Sequence, residues 1–198
     1  MSLSDEALAL QVVNGDLSAF EELVNRHQRS VFKIAYRMVG QKEEAEDLAQ
    51  EVFIHVYQKM YLFNTSKSFV PWLYRVAVNT CISRLRRKQK VVFLSFDDAL
   101  AAGTEFMGSS IVSPDLNLER QELHNEISRA LLKMPEGYRA MIILRYQLDL
   151  NNREIAEVLG ITKENVEVRM HRAHKLMRRI LAARLSEGRV EREVQASG

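Results

Sequence analysis

Lys163, Arg169, Arg172 and Lys175 fall on the outer side of a helix whose inner side carries Val166 and Met170, so four cations and an apolar seam share a few turns. Such a helix suits a DNA major groove, where guanidinium and ammonium groups bind phosphate and Arg also reads the acceptor edge of guanine. Asn165 and Glu167 stand among those cations. The residues just ahead complete a helix-turn-helix. Ile155 and Leu159 are four apart and face one way, Ala156 is small where a second helix must cross, and Ile161 fills the corner. Gly160 can take the left-handed conformation that stops a helix, and Thr162 is a good N-cap for the next one. The bland alternative is two packed helices with a solvated basic face.

Two further constellations lie upstream. Asp47, Gln50 and Glu51 stand at i, i+3 and i+4 and are expected to line one exposed helical face. An acidic face is not drawn to DNA, which leaves a protein partner or plain solvent; for Glu43 and Glu44 we read solvent. A carboxylate metal site is disfavoured, because no His joins these acids at ligand spacing. Arg75, Asn79, Ser83 and Arg86 form a polar stripe opposite the apolar Leu73, Val76, Ala77, Thr80, Cys81 and Leu85. Asn offers both a donor and an acceptor to a base edge, Arg neutralises phosphate, and aromatic rings stack on unpaired bases. Trp72, at the start of that helix, is either such a ring or core. A basic run, Ser83 to Lys90, holds Arg84, Arg86, Arg87, Lys88 and Lys90 with no acid.

The elements that must position these groups are helical throughout, and no alternating strand pattern stands out. Asp16 opens a helix with Phe20, Leu23, Val24, His27, Val31, Ile34, Ala35 and Met38 on one stripe, ended by Gly40; His27 reads as a satisfied boundary histidine. A second runs from about Lys42 to Met60, and a third begins near Pro71, a permitted first-turn position. Periodicity fades over 91–117, where Gly, Ser and acids collect, and a flexible linker between domains explains so long an irregular stretch. Helices resume at 118–133, with Leu123, Ile127, Ala130 and Leu131 expected inward, and at 138–148, before the helix-turn-helix. The expected fold is all-α: two small helical domains, 1–90 and 118–185, joined by that linker, with a polar tail at 186–198.

Composition narrows the function classes. The 198 residues carry a formal net charge of +2, with 46% hydrophobic and 27% charged residues, an ordinary soluble balance. The charge is segregated: Gln41–Glu51 is acidic and Ser83–Lys90 basic, which fits two different partners. No apolar run reaches the ~20 residues of a membrane span, and Met1–Glu6 has no signal-peptide pattern. The single Cys81 makes no internal disulfide, sits on an apolar helical face and fits a reducing cytoplasm. There is no P-loop, no Gly-rich phosphate cradle and no nucleophile with an identifiable base. His171 and His174 are three apart, but two ligands alone make a poor metal site. No catalytic residue, cofactor or metal is expected.

Three segments, in order and spacing, carry a family resemblance. They are Ala45-Glu46-Asp47-Leu48-Ala49-Gln50-Glu51-Val52-Phe53, then Phe69-Val70-Pro71-Trp72-Leu73-Tyr74-Arg75-Val76-Ala77-Val78-Asn79 with the basic run, and Met134-Pro135-Glu136-Gly137-Tyr138-Arg139 ahead of the helix-turn-helix with Arg169 and Arg172-Ala173. Over almost its whole length the chain resembles the extracytoplasmic-function group of bacterial sigma factors. That resemblance implies an alternative sigma factor that binds RNA polymerase core and directs promoter-specific initiation, with 1–90 as sigma region 2 and 118–185 as sigma region 4. It implies that Asp47, Gln50 and Glu51 dock on the β′ clamp helices, with the β flap as a second polymerase contact. Phe63, Asn64, Trp72, Arg75, Asn79, Ser83, Arg86 and Arg87 would capture the melting −10 element, the loop Leu62–Ser68 holding an extruded base. Lys163, Asn165, Glu167, Arg169, Arg172 and Lys175 would read the −35 duplex. It also implies a cytoplasmic protein, not itself inserted in a membrane, held by an anti-sigma factor that is tethered to one. Many relatives read Gly-Thr-Val-Lys-Ser-Arg where this chain has Glu164-Asn165-Val166-Glu167-Val168-Arg169, so the preferred −35 sequence is open. Glu167 either accepts from a cytosine amino group or points to solvent. The rival reading is a free-standing helix-turn-helix regulator, which as a dimer binds palindromic DNA unaided.

Overall fold

Ser4, Asp16, Asn151 and Thr162 are short polar residues set just before apolar-periodic runs, and each starts a helix. The computed structural model describes residues 3–94 and 118–196, and among these every regular element is a helix. Most of the expected linker, 95–117, lies outside the described residues. Helix α1 spans Asp5–Val13, α2 Leu17–Val39, α3 Lys42–Lys59 and α4 Phe69–Leu94, with one 3-10 turn at Met60–Leu62. Then come α5 Leu118–Leu132, α6 Glu136–Tyr146, α7 Asn152–Leu159 and α8 Lys163–Ala196. The backbone of the expected polar tail is thus helical as far as Ala196.

Helix α2 is fixed at both ends. Asp16 accepts from the Ser18 and Ala19 amides at 2.9 and 3.2 Å, and Gly40 closes the helix at φ 83°, a left-handed geometry that costs a residue with a Cβ. Its stripe of Leu23, Val31, Ile34, Ala35 and Met38 is buried against Ala45, Leu48, Val52 and Val56 of α3, and α4 lies across both. Helix α1 escaped the sequence reading. It packs Leu8, Ala9 and Val12 inward, and Asp5 binds Arg26 and His27 of α2 at 2.9 and 2.7 Å. His27 is therefore a satisfied boundary histidine, as expected. The Glu6 carboxylate accepts from the Phe69 amide at 2.9 Å, which caps the start of α4 from a distant segment and holds that carboxyl below its ordinary range.

Helix α4 is covered on two sides. Leu73, Ala77 and Cys81 are buried as the periodicity predicts, but so are Tyr74 and Val78, and α6 and α7 pack against α4 as well. The core is consequently one continuous cluster across both halves. Leu123, expected inward on α5, is 61% exposed, while Ala130 and Leu131 are buried. Burial pushes the Cys81 thiol up to about 12, with Glu51 and Glu44 adding to the shift. A thiol reagent such as DTNB should therefore react with the native protein very slowly and with the guanidinium-unfolded chain at once, because the thiolate is the nucleophile. Fast labelling of the native state would contradict this placement.

Candidate nucleic-acid interface

The helix-turn-helix is built by local chemistry. The Asn151 side chain accepts from the Arg153 and Glu154 amides at 2.9 and 3.2 Å, and Glu154 returns the favour to the Asn151 amide at 2.8 Å, a reciprocal cap on α7. Gly160 ends α7 at φ 64°, Ile161 N–H reaches the Ala156 carbonyl at 3.1 Å, and Thr162 Oγ1 accepts from the Asn165 amide at 3.3 Å. Ile155, Ala156 and Val158 from α7 meet Val166, Met170 and Ala173 from α8. That burial rolls the opposite side of α8 outward. Lys163, Asn165, Glu167, Arg169, Arg172 and Lys175 are all exposed, together on the free surface of one helix. Val168, one of the positions where this helix departs from the family pattern, joins them at 51% exposure, and an apolar group there suits a thymine methyl. His174 is turned away and bonds the Tyr146 hydroxyl at 2.8 Å.

The polar stripe on α4 is also exposed at Arg75, Asn79, Ser83, Arg86 and Arg87, but its members differ in what holds them. The Arg75 guanidinium lies over the Gly160 turn, so close that a Cβ on Gly160 would sit 2.6 Å from Nη2. Arg86 Nε donates to Glu136 Oε1 at 2.9 Å, and Arg86 holds the Glu136 carboxyl below the ordinary carboxylate range. Asn79 and Ser83 have no side-chain hydrogen bond among the described residues. The helix-turn-helix half therefore rests against two of the five α4 residues.

Phe63 is not at the surface. It is 7% exposed, packed 5.5 Å edge-on from Phe69 and 5.3 Å from Trp72 between ring centroids. Trp72 is half-buried in the same cluster, so its ring is partly core and partly available. Asn64 is exposed, with its Oδ1 taken by the Ser66 amide and hydroxyl at 3.0 and 2.7 Å. The exposed apolar groups beside this loop are Tyr61 and Leu62, at 72% and 62%. Both fall outside the apolar stripe of α3, the one sequence signal that could have flagged them.

On α3, Asp47 and Gln50 are exposed as expected, but Glu51 is not their free companion. Arg84 Nη2 binds its Oε2 at 2.7 Å and Arg87 approaches its other oxygen at 3.7 Å. Glu44 likewise pairs with Lys88 at 2.7 Å and keeps only 11% of its side chain exposed, rather than standing in solvent. The reason is that α4 crosses α3 there, so part of the acidic segment neutralises part of the basic run. Next to Gln50 opens a groove of about 360 Å³ lined by Val24, Phe32, Ala49 and Phe53, with Arg29 and Glu46 at its edge. A second, larger groove of about 530 Å³ lies along α5, α6 and α8, lined by Ile127, Leu131, Ile142, Tyr146, Met177 and Leu181.

Residues 23–91 match the family model for Sigma-70 region 2, and residues 124–177 match the model for Sigma-70, region 4. The ECF RNA polymerase sigma factor SigW of Bacillus subtilis is 39% identical over 177 residues, 86% of this chain and 93% of that protein. The RNA polymerase sigma-H factor of Pseudomonas aeruginosa is 30% identical, over 92% of this chain and 96% of its own length. Among solved structures, CnrH in complex with the cytosolic domain of CnrY shares the fold at a TM-score of 0.63 and 23% identity, covering 90% of this chain and 97% of that one. The exposed α8 face and the α4 stripe lie within the two matched segments.

Proposed function

This chain belongs to the extracytoplasmic-function group of the sigma-70 family, and from that premise we propose how its residues divide the work of an alternative sigma factor, a subunit that binds RNA polymerase core and directs promoter-specific initiation. One observation carries the division. The cation-bearing side of α8 is exposed, while Asp47 and Gln50 stand exposed on a different helix beside an apolar groove. DNA and a protein partner can thus be held at the same time.

Asp47 and Gln50 dock on the β′ clamp helices, an apolar side chain of the clamp entering the groove between Phe32 and Phe53. Glu51 serves that face indirectly, as the brace that ties α3 to Arg84. The apolar groove along α5, α6 and α8 receives the β flap. Lys163, Asn165, Glu167, Arg169, Arg172 and Lys175 contact −35 duplex. Asn79 and Ser83, with Arg75, Arg86 and Arg87 once these leave their present partners, bind the −10 strand as it opens. Trp72 and Asn64 bound the loop that holds an extruded base, Phe63 supporting Trp72 from beneath. The chain supplies no catalytic residue and works in the cytoplasm, on polymerase. Among the described residues no helix is long and apolar enough to cross a membrane. An anti-sigma protein is its inhibitor, membrane-tethered and covering both halves; affinity purification from unstressed cells should recover it, and recovery of polymerase alone would argue against it.

Strand opening tests the −10 assignment. Flipping bases costs a few kcal/mol, which bound-base contacts must offset. Asn79→Ala should therefore spare initial promoter binding and depress opening, as read by permanganate reactivity at −10, and a pre-melted bubble should restore most of the signal. Normal opening by the variant, or a bubble that restores nothing, removes the role. On α8, Arg172→Ala is expected to weaken all promoters alike and lower the salt dependence of binding by about one ion, the mark of a phosphate contact. A loss confined to one −35 sequence would make it a base contact instead.

A further inference from the structure

The recognition helix carries an acid where DNA presents negative charge, and the structure holds that acid in place. Glu167 is exposed on α8 among Lys163, Arg169, Arg172 and Lys175, yet no cation lies within ion-pair distance of it among the described residues. Its one hydrogen bond there is from Asn152 Nδ2, at 3.3 Å to Oε1. Asn152 in turn accepts at Oδ1 from Arg145 Nη2, at the end of α6. A guanidinium only donates, so Arg145 fixes which end of the Asn152 amide is oxygen and turns its NH2 toward Glu167. One carboxylate oxygen is thereby held, and the other is left open on the surface that faces DNA.

We propose that Glu167 reads an amino-bearing base, cytosine or adenine, in the −35 duplex, and that Arg145 and Asn152 are positioning residues that aim its carboxylate. This rests on the reading of α8 as the −35 contact. In the major groove, cytosine N4 and adenine N6 are the donors, whereas guanine and thymine offer acceptors. A carboxylate there rewards the first two and is repelled by the others, so it excludes as much as it selects. The neighbouring cations supply attraction to phosphate whatever the sequence.

The test is selection of randomised −35 elements by holoenzyme assembled from the full chain and core polymerase, reading base frequencies at each position. Wild-type holoenzyme should favour cytosine or adenine at one position by about tenfold, the scale of one good base contact. Glu167→Ala should flatten that position and leave the rest unchanged. Asn152→Asp keeps the acceptor for Arg145 but replaces the donor to Glu167 with a second carboxylate that turns it away, so it should reduce the preference at that same position by several-fold with the helical circular dichroism unaltered. A purely structural role for Asn152 would instead shift stability and leave base frequencies alone. Unchanged frequencies in Glu167→Ala overturn the base-reading role; a flattened position in Glu167→Ala with full preference in Asn152→Asp overturns the positioning role. Wild-type holoenzyme that enriches no −35 sequence would remove the assignment of α8 itself, an outcome distinct from both.

Discussion

Replacing Asp47 and Gln50 together by lysine is expected to lower affinity for polymerase core by about a hundredfold or more, the scale on which like-charge juxtaposition at an interface acts. Both side chains are exposed, and substitutions at such positions usually move stability by less than ~0.5 kcal/mol. Circular dichroism and the melting curve should therefore stay where they are while fluorescence anisotropy against labelled core shows the loss. The choice of pair matters. Glu51→Lys would set a cation against Arg84, which now binds that carboxylate at 2.7 Å, and would confound docking with damage to the α3–α4 junction. Unchanged core affinity in the folded double variant would remove the docking face from α3.

The second large effect concerns Arg139, whose guanidinium is buried where the two halves meet. It donates to the Met38 carbonyl, and to the Leu132 and Met134 carbonyls, the latter at 3.0 Å. Those carbonyls close the ends of α2 and α5, where a helix leaves acceptors unpaired and a cation complements the dipole. Burial pulls the Arg139 pKa down, opposed by Glu136, but a guanidinium remains charged at any ordinary pH. Arg139→Met keeps much of the bulk and strands three carbonyls. At 1–3 kcal/mol for an unsatisfied buried acceptor, part of it relieved by water, the variant should lose roughly 3 kcal/mol. That corresponds to about 6–12 °C in melting temperature for a chain of this size. A shift below 2 °C in differential scanning calorimetry would mean that the Arg139 contacts contribute little.

Much of this was legible in residue patterns, and the misses share a cause. The helix-turn-helix was readable because its signals are local: Gly160 and Thr162 act within four residues of themselves, and the seam of Ile155, Val166 and Met170 follows from helical period alone. The exposure of Lys163, Arg169, Arg172 and Lys175 came with that seam. Glu51, Glu44 and Phe63 were misplaced because their surroundings come from elsewhere in the chain. Arg84 and Lys88 reach the two acids only once α4 has crossed α3, and Phe63 is buried by rings that arrive with Phe69 and Trp72. Tyr74 and Val78, off the expected apolar stripe of α4, are buried too, on a helix packed against α6 and α7 as well as α2 and α3. Arg139 was visible as a letter in a motif, with nothing in its neighbours to say that it crosses to α2. Helix α1 was a different kind of miss, for Ser4 followed by Asp5 and Glu6 is a helix start in plain view.

Promoter recognition is expected to belong to the complex of this chain with polymerase core. Near-neutral total charge, internal pairing of Arg84, Arg87 and Lys88, and the engagement of Arg75 and Arg86 by the second half are all expected to make the isolated chain a poor DNA binder. Run-off transcription on genomic fragments with and without added core, paired with a mobility-shift assay of the chain alone on the same fragments, decides the matter. Weak, unselective binding by the chain alone and discrete transcripts from a small set of fragments once core is present are the expected results. Tight binding of the purified chain as a dimer to palindromic DNA, with core adding no transcripts, would contradict core-dependent recognition and establish a free-standing regulator in its place.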